Sequence, residues 1–389
     1  MKSKLILMYC IAIILTGCNQ ITLIPEKNFS ATIDGKEVKL YTLENKNGVK
    51  AQFTNFGGRW ISMWVPDRDG KMGDVILGFD NLKSYMGALE PYHGAITGRV
   101  CGRINQGLFT LEGDTFRLAN NDFFGSPKKN HLHGGVKGFH KQIWDGVKGI
   151  DTSGNEYIDF SYLSKAGEEG YPGNLNIKVR YTLTDKNTLR IDYFADTDAA
   201  TIVNITNHAF FNMSGNPETS VSKQLLQINA DNYIECDKEL VPTGNLKSAK
   251  GTPIDFTEMI EIGKNTSADY PEIVKDKGYA IAYVLNGGKE DLNYAAKLYD
   301  SLSGRYVSVY TNQPSFQLYN AWLMNGKDVG KNKIEYKSGC GVVLETQGFP
   351  DAPNHSNFPS ITLQPGSKYH HCVEYRFGVE DKSLNTSKN

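Results

Sequence analysis

Short runs in which apolar and polar residues alternate recur along almost the whole chain, each closed by turn residues, and this limits the possible folds more than anything else in the sequence. A period of two puts successive side chains on opposite faces of a strand. The pattern appears at 157–163, 175–184, 188–195 and 201–206, then at 224–230, 279–286, 295–300, 306–311, 315–319 and 368–377. Clusters such as Pro66-Asp67-Arg68-Asp69-Gly70 punctuate it as strong turns. Nearer the start, 31–34 and 36–42 read as a hairpin about Gly35, and 49–55 and 60–65 flank Phe56-Gly57-Gly58. Residues 74–78 form a short apolar strand, and 104–116 is a strand pattern broken at Glu112-Gly113-Asp114. Helical periodicity is nearly absent; only 81–86 and 256–262 suggest short helices. The 39 Gly, 21 Tyr and 18 Phe suit many turns and sheet faces. With no linker and no repeat of fixed period, these strands predict an all-β chain: a single large antiparallel β-sandwich over 29–378, followed by a C-terminal tail, 379–389.

A different kind of segment precedes the strands. Lys2 and Lys4 lead an apolar run over 5–15 that is too short to span a bilayer, and Leu15-Thr16-Gly17-Cys18 closes it. The pattern resembles a bacterial lipoprotein signal; a plain secretory signal or a short anchor is the alternative. Read as a lipoprotein signal, residues 1–17 are removed, Cys18 becomes an acylated first residue, and 18–28 is a short tether. The expectation is an exported cell-envelope lipoprotein, on the periplasmic side or in the outer membrane, that meets the membrane through its N-terminal lipid alone. Cys10 leaves with the signal. Cys101, Cys236, Cys340 and Cys372 fit neither a small disulfide framework nor a zinc spacing, and read as scattered buried thiols. The formal net charge of −1, without a long run of either sign, excludes nucleic-acid binding through bulk charge.

Five stretches carry chemistry. In the first, Val342, Val343 and Leu344 read as a buried strand that Gly348, Pro350 and Pro353 interrupt. Glu345 is therefore expected where an apolar strand meets an irregular loop. Partial desolvation there raises a carboxyl pKa, and a rigid element holds it, as a general base requires; a strand-end Glu facing solvent is the alternative. In Thr201-Ile202-Val203-Asn204-Ile205-Thr206-Asn207-His208-Ala209-Phe210-Phe211, regular alternation would line up Ile202, Asn204, Thr206 and His208 on one face. His208 is placed either for proton transfer beside Phe210 and Phe211 or as a satisfied structural His. The Gly-rich segment 92–104 carries Arg99 and Arg103, whose planar forks suit sugar hydroxyls, a carboxylate or a surface ion pair. Asn130-His131-Leu132-His133-Gly134-Gly135 offers a His-x-His pair for a metal, or one loop His to donate to a substrate oxygen, with no carboxylate ligand nearby. Thr311-Asn312-Gln313-Pro314 ends a strand in amides, or simply turns.

In their order these stretches resemble the aldose 1-epimerase family, the galactose mutarotases. The likeness rests on Gly98-Arg99 through Arg103-Ile104, Asn130 to Gly135, Thr206-Asn207-His208-Ala209-Phe210-Phe211-Asn212, Tyr310 to Pro314, and Leu344-Glu345-Thr346-Gln347 with Phe349-Pro350-Asp351-Ala352-Pro353-Asn354. It covers about 29–377. The resemblance implies a galactose mutarotase-like supersandwich and interconversion of the α and β anomers of a free aldose such as galactose or glucose. It implies Glu345 as general base and His208 as general acid, with Arg103, His133 and Gln313 at sugar-binding or transition-state positions, and neither cofactor nor metal. In that chemistry Glu345 takes the C1 hydroxyl proton while His208 protonates the ring oxygen, so His208 is expected to start charged and Glu345 ionised.

Two departures stand out. The family often has Asn where this chain has Gly102. Its Gly-aromatic-Asp-His element, whose Asp binds sugar hydroxyls, appears here as Gly278-Tyr279-Ala280-Ile281. The substitution at Ala280 motivates an alternative, a non-catalytic or altered-specificity sugar-binding homologue. An enzyme of phosphorylated or acidic sugars would call for clustered Arg or Lys. A glycoside hydrolase would call for a pair of carboxylates, and only Glu345 stands out in the sequence.

Overall fold

The computed structural model describes residues 21–124, 129–274, 278–287 and 292–381. The expected signal, 1–17, and Cys18 lie outside the described residues, as does most of the expected tail.

Two antiparallel sheets dominate the described residues. The larger has nine strands, in the spatial order Asp145–Ile150, Glu156–Ser164, Leu175–Leu183, Thr188–Thr197, Tyr369–Val379, Arg305–Thr311, Asn293–Tyr299, Leu225–Ile228 and Ile260–Glu261. The C-terminal strand thus closes the middle of that sheet. The smaller has seven: Phe210–Phe211, Val342–Gln347, Ser315–Tyr319, Gly278–Val284, Asn232–Cys236 and Pro242–Ser248, with Ile273–Val274 beside Gly278–Val284. Ile191, Tyr193, Val307 and Val309 of the first sheet share one buried cluster with Ile281, Phe316, Leu318, Val342 and Leu344 of the second. Two apolar faces closed on each other make a β-sandwich, as the alternation predicts. An N-terminal meander, Leu40–Glu44, Lys50–Thr54, Arg59–Pro66 and Met72–Asp74, joins the same core. Its Trp60 packs against Phe211, Tyr375 and Phe377.

Several local expectations change. The helix expected at 81–86 is present as Leu82–Gly87, with Asn81 capping the Ser84 amide at 2.9 Å. The one expected at 256–262 is not. The Asp255 carboxylate takes the Thr257 amide and hydroxyl and turns the chain, and Ile260–Glu261 joins the large sheet. The hairpin about Gly35 is shorter, Ala31–Ile33 with Lys36–Val38, while Leu40–Glu44 turns to pair with Lys50–Thr54. The stretch expected as a tether is docked from Ile24 onward: Ile24 exchanges two hydrogen bonds with the Gln52 amide, and Phe29 is buried. The run at 201–206 is not one strand. Thr201–Ile202 pairs with Thr362–Leu363, Thr206–Asn207 with Ile96–Thr97, and Phe210–Phe211 with Val342–Gln347. Regular alternation up to His208 therefore fails, because the chain changes partners before reaching it and again just after.

Candidate active site

Alternation across the smaller sheet builds the floor of a pocket. Ile281, Phe316, Leu318, Val342 and Leu344 point into the core. Their neighbours Ala280, Ala282, Gln317, Tyr319, Glu345 and Gln347 line the pocket on the opposite face. Cross-strand register places Ala280 opposite Tyr319, and Gln317 between Ala282 and Glu345. Arg103, His133 and His208 line the same pocket from the loops above.

Glu345 lies inside a strand rather than at its end. Val342–Gln347 is buried throughout, so desolvation comes from the sheet itself. Burial, with a smaller contribution from Glu90, pushes the Glu345 carboxyl up to about 8. Its Oε1 is buried without a hydrogen-bond partner. His208 sits where the chain passes from Thr206–Asn207 to Phe210–Phe211. Its amide donates to the Ala95 carbonyl at 2.8 Å and its carbonyl accepts from the Gly94 amide at 2.9 Å. The imidazole packs among Phe210, Tyr92 and His133, with ring centroids at 5.0, 5.6 and 5.3 Å. Burial, with the Arg59 charge adding to it, pulls its pKa down to about 3, and Nδ1 has no partner. Burial penalises both charges and so favours a protonated Glu345 and a neutral His208 over the ionised pair that the sequence suggests.

His133 adopts the left-handed region, φ 49°, and faces Gly102. Its amide donates to the Gly102 carbonyl at 3.1 Å, and the Gly102 amide donates to His133 Nδ1 at 3.3 Å. A neutral ring bonded this way carries its proton on Nε2 and offers it as a donor. Gly134 beside it is obligatory, since a Cβ there would fall 1.6 Å from the Gly98 carbonyl oxygen. Arg103 donates through Nε to the wholly buried Asp122 at 2.7 Å. The Asp351 amide donates to the Arg103 carbonyl at 3.0 Å, and the Asp351 carboxyl accepts from the Asn105 amide and the Asn354 side chain. The Phe349 to Asn354 motif therefore braces the segment that carries Arg103.

The remaining candidates separate. Arg99 is buried and donates to Ser164, Pro172, Gly173 and Thr201, which is a structural role. His131 is bonded to the Ala119 carbonyl and the Tyr171 hydroxyl, so the His-x-His pair does not act as a unit. Among the described residues no three His, Cys, Asp or Glu side chains gather as a metal site. Gln313 is not in the pocket. It sits in the turn after Arg305–Thr311, its amide bonded to Thr311 Oγ1, and lines a separate surface cleft with Asn312 and His370. The amide side chain in the pocket is Gln317, the register partner of Glu345. Alternation within 315–319, between Phe316 and Leu318, was the signal for it. Ala280 and Gly102 both line the pocket, as the alignment of motifs expected. Glu90, Tyr92 and Trp322 line it too and were not anticipated. Of the four described cysteines all are free; Cys101, Cys340 and Cys372 are buried, and Cys236 borders the pocket.

Comparison with known proteins accords with this arrangement. A profile of the family described as aldose 1-epimerase matches residues 39–376. The galactose mutarotase of Homo sapiens is 37% identical over 331 residues, 85% of this chain and 92% of that protein. The aldose 1-epimerase of Escherichia coli (strain K12) is 33% identical over 349 residues, 89% of this chain and 97% of that one. Among solved structures, a galactose 1-epimerase from Lactobacillus acidophilus superposes with a TM-score of 0.78 at 28% identity, covering 90% of this chain and 97% of its own. The chain belongs to the aldose 1-epimerase family, whose named members are isomerases.

Proposed function

We infer that this protein interconverts the α and β anomers of a free, galactose- or glucose-like aldose, with Glu345 and His208 exchanging protons with the sugar. The observation that carries this reading is a buried carboxyl and a buried imidazole lining one pocket, each with an atom that lacks a protein partner. A sugar supplies both partners. Its C1 hydroxyl donates to Glu345, and its ring oxygen accepts from His208. These bonds favour the form in which the single shared proton has moved to the imidazole. Glu345 then takes the C1 hydroxyl proton as His208 protonates the ring oxygen. The bond from C1 to the ring oxygen breaks, the aldehyde rotates about C1–C2, and the ring closes on the other carbonyl face with the roles reversed. Such acid–base assistance is worth on the order of 10²–10⁴-fold. His133 Nε2–H, Arg103 and Gln317 supply further donors to hydroxyls.

Polarimetry on freshly dissolved α-galactose, α-glucose and related aldoses tests the reading. Relaxation of the rotation faster than in buffer is expected for at least one sugar; buffer rates for every sugar would overturn it. The altered-specificity alternative draws support from one observation, the methyl group that Ala280 presents to the pocket.

The lipoprotein reading of the N-terminus supports placement of this activity at the cell envelope. No helix among the described residues is long and apolar enough to cross a membrane. Cys18→Ser should move the full chain from the detergent to the aqueous phase on Triton X-114 partition; retention in detergent would contradict anchoring through Cys18.

A further inference from the structure

The pocket contains a second buried carboxyl. Glu90 is 7% exposed and lines the pocket with Tyr92, Ala280, Tyr319, Trp322 and Glu345. Its backbone is pinned by the Asp328 carboxylate, which accepts from the Leu89 and Glu90 amides at 2.9 Å each. The Glu90 side chain has little such support. Its Oε1 accepts one hydrogen bond, from the Tyr92 amide at 3.2 Å. Among the described residues no cation forms an ion pair with it. Arg59, whose charge reaches it, spends its guanidinium on the carbonyls of Pro91, His93 and His140.

A buried carboxyl with one hydrogen bond and no counter-charge serves the fold less well than an apolar side chain of the same size. Burial, with Asp328 adding to it, pushes Glu90 up to about 8, so at neutral pH it is mainly an uncharged acid that both donates and accepts. The Glu90 charge also reaches Glu345 and Tyr319. Tyr319 stands opposite Ala280 across the sheet, where the floor offers only a methyl group.

Building on the anomerase reading above, we propose that Glu90 binds a sugar hydroxyl on the Ala280 side of the pocket and so sets which aldoses the pocket binds well. It is a specificity-determining contact and takes no part in the proton transfer.

The test compares wild type, Glu90→Ala, Glu90→Met and the double variant Glu90→Ala/Ala280→Asp. KM and kcat come from polarimetry and Kd from calorimetry, with galactose and glucose as probes, beside a melting curve for each protein. Loss of the contact should raise KM and Kd for the neutral sugars roughly 10–100-fold, while kcat stays within about threefold because the contact exists in ground and transition states alike. The double variant, with a carboxyl restored from the floor, should recover much of the loss, which a merely structural role for Glu90 would not allow. Glu90→Met keeps the length of the side chain and covers the case in which Glu90→Ala misfolds. Folded Glu90 variants with unchanged KM, Kd and sugar preference would overturn the proposal while leaving the anomerase reading intact. A wild type that neither binds nor turns over any of the sugars would overturn both.

Discussion

The two faces of the seven-stranded sheet are made by the same strands and have opposite character. On the inner face, Ile281, Phe316, Leu318, Val342 and Leu344 pack into the core. On the outer face, their immediate neighbours Gln317, Glu345 and Gln347 are polar, and atoms of Glu345 and Gln347 are buried without partners. The inner face gains free energy from burial, and that stability tolerates the cost of the outer one. Reactivity follows from this division. A carboxyl held by strands that the core makes rigid cannot relax toward water or find a counter-ion, so its pKa stays high and its oxygen waits for a ligand.

Breaking the outer face should abolish activity and spare the fold. Glu345→Gln removes the proposed base and His208→Asn the proposed acid; each should cut turnover by roughly 10²-fold or more, read by polarimetry. Glu345→Gln should melt no lower than wild type. The sign follows from the raised pKa: in the folded state Glu345 resists ionisation, so the stability it contributes below its unfolded pKa is lost as pH rises through about 8. The Gln variant is free of that loss, so it should gain on wild type as pH rises from about 4.5 to about 8 and keep that lead above. Near-normal turnover in either variant would sink the roles given to them.

Breaking the inner face should do the reverse. Leu344→Ala, one residue from the base, should cost about 2–5 kcal/mol in denaturant unfolding, while the protein that remains folded keeps its KM within about threefold. A Leu344→Ala protein of wild-type stability would contradict the assignment of faces. A finer comparison sets Gln317 against Gln313. Gln317→Ala should raise KM roughly 3–10-fold through loss of one hydrogen bond, and Gln313→Ala should leave KM unchanged. The opposite result would return the sugar contact to position 313.

What could be read in the sequence divides along similar lines. Strands with one buried face announced themselves by alternation, which is why 175–184, 188–195 and 315–319 correspond closely to Leu175–Leu183, Thr188–Thr197 and Ser315–Tyr319. Asp145–Ile150 and Pro242–Ser248 did not. They are mostly exposed and lie at sheet edges, so no apolar face marks them. In the site, Glu345, His208, His133 and Arg103 were legible because each sits in a motif dense with Gly, aromatic or amide residues. Gln317 was not legible, because the family likeness runs through Tyr310 to Pro314 and points to Gln313, while a single Gln within a strand carries no motif. Glu90 could not be seen at all. Its backbone is held by Asp328, which lies 238 residues away in sequence. The protonation states depend on the fold in the same way: an ordinary Glu and His imply an ionised pair near neutral pH, whereas burial raises the Glu345 pKa and lowers that of His208.

The central claim is that Glu345 and His208 share one proton across neutral pH and pass it through the sugar. The pH dependence of kcat/KM on a good aldose substrate tests this most directly. With Glu345 at about 8 and His208 at about 3, the one-proton form of the pair prevails between those values. Below about 3 a second proton leaves no base, and above about 8 loss of the last proton leaves no acid. The account predicts a kcat/KM that is level from pH 5 to 7 and falls about tenfold per pH unit above 8. A profile that already falls between pH 6 and 7, as for a His acid of ordinary pKa, or one that still rises at pH 9, would contradict it.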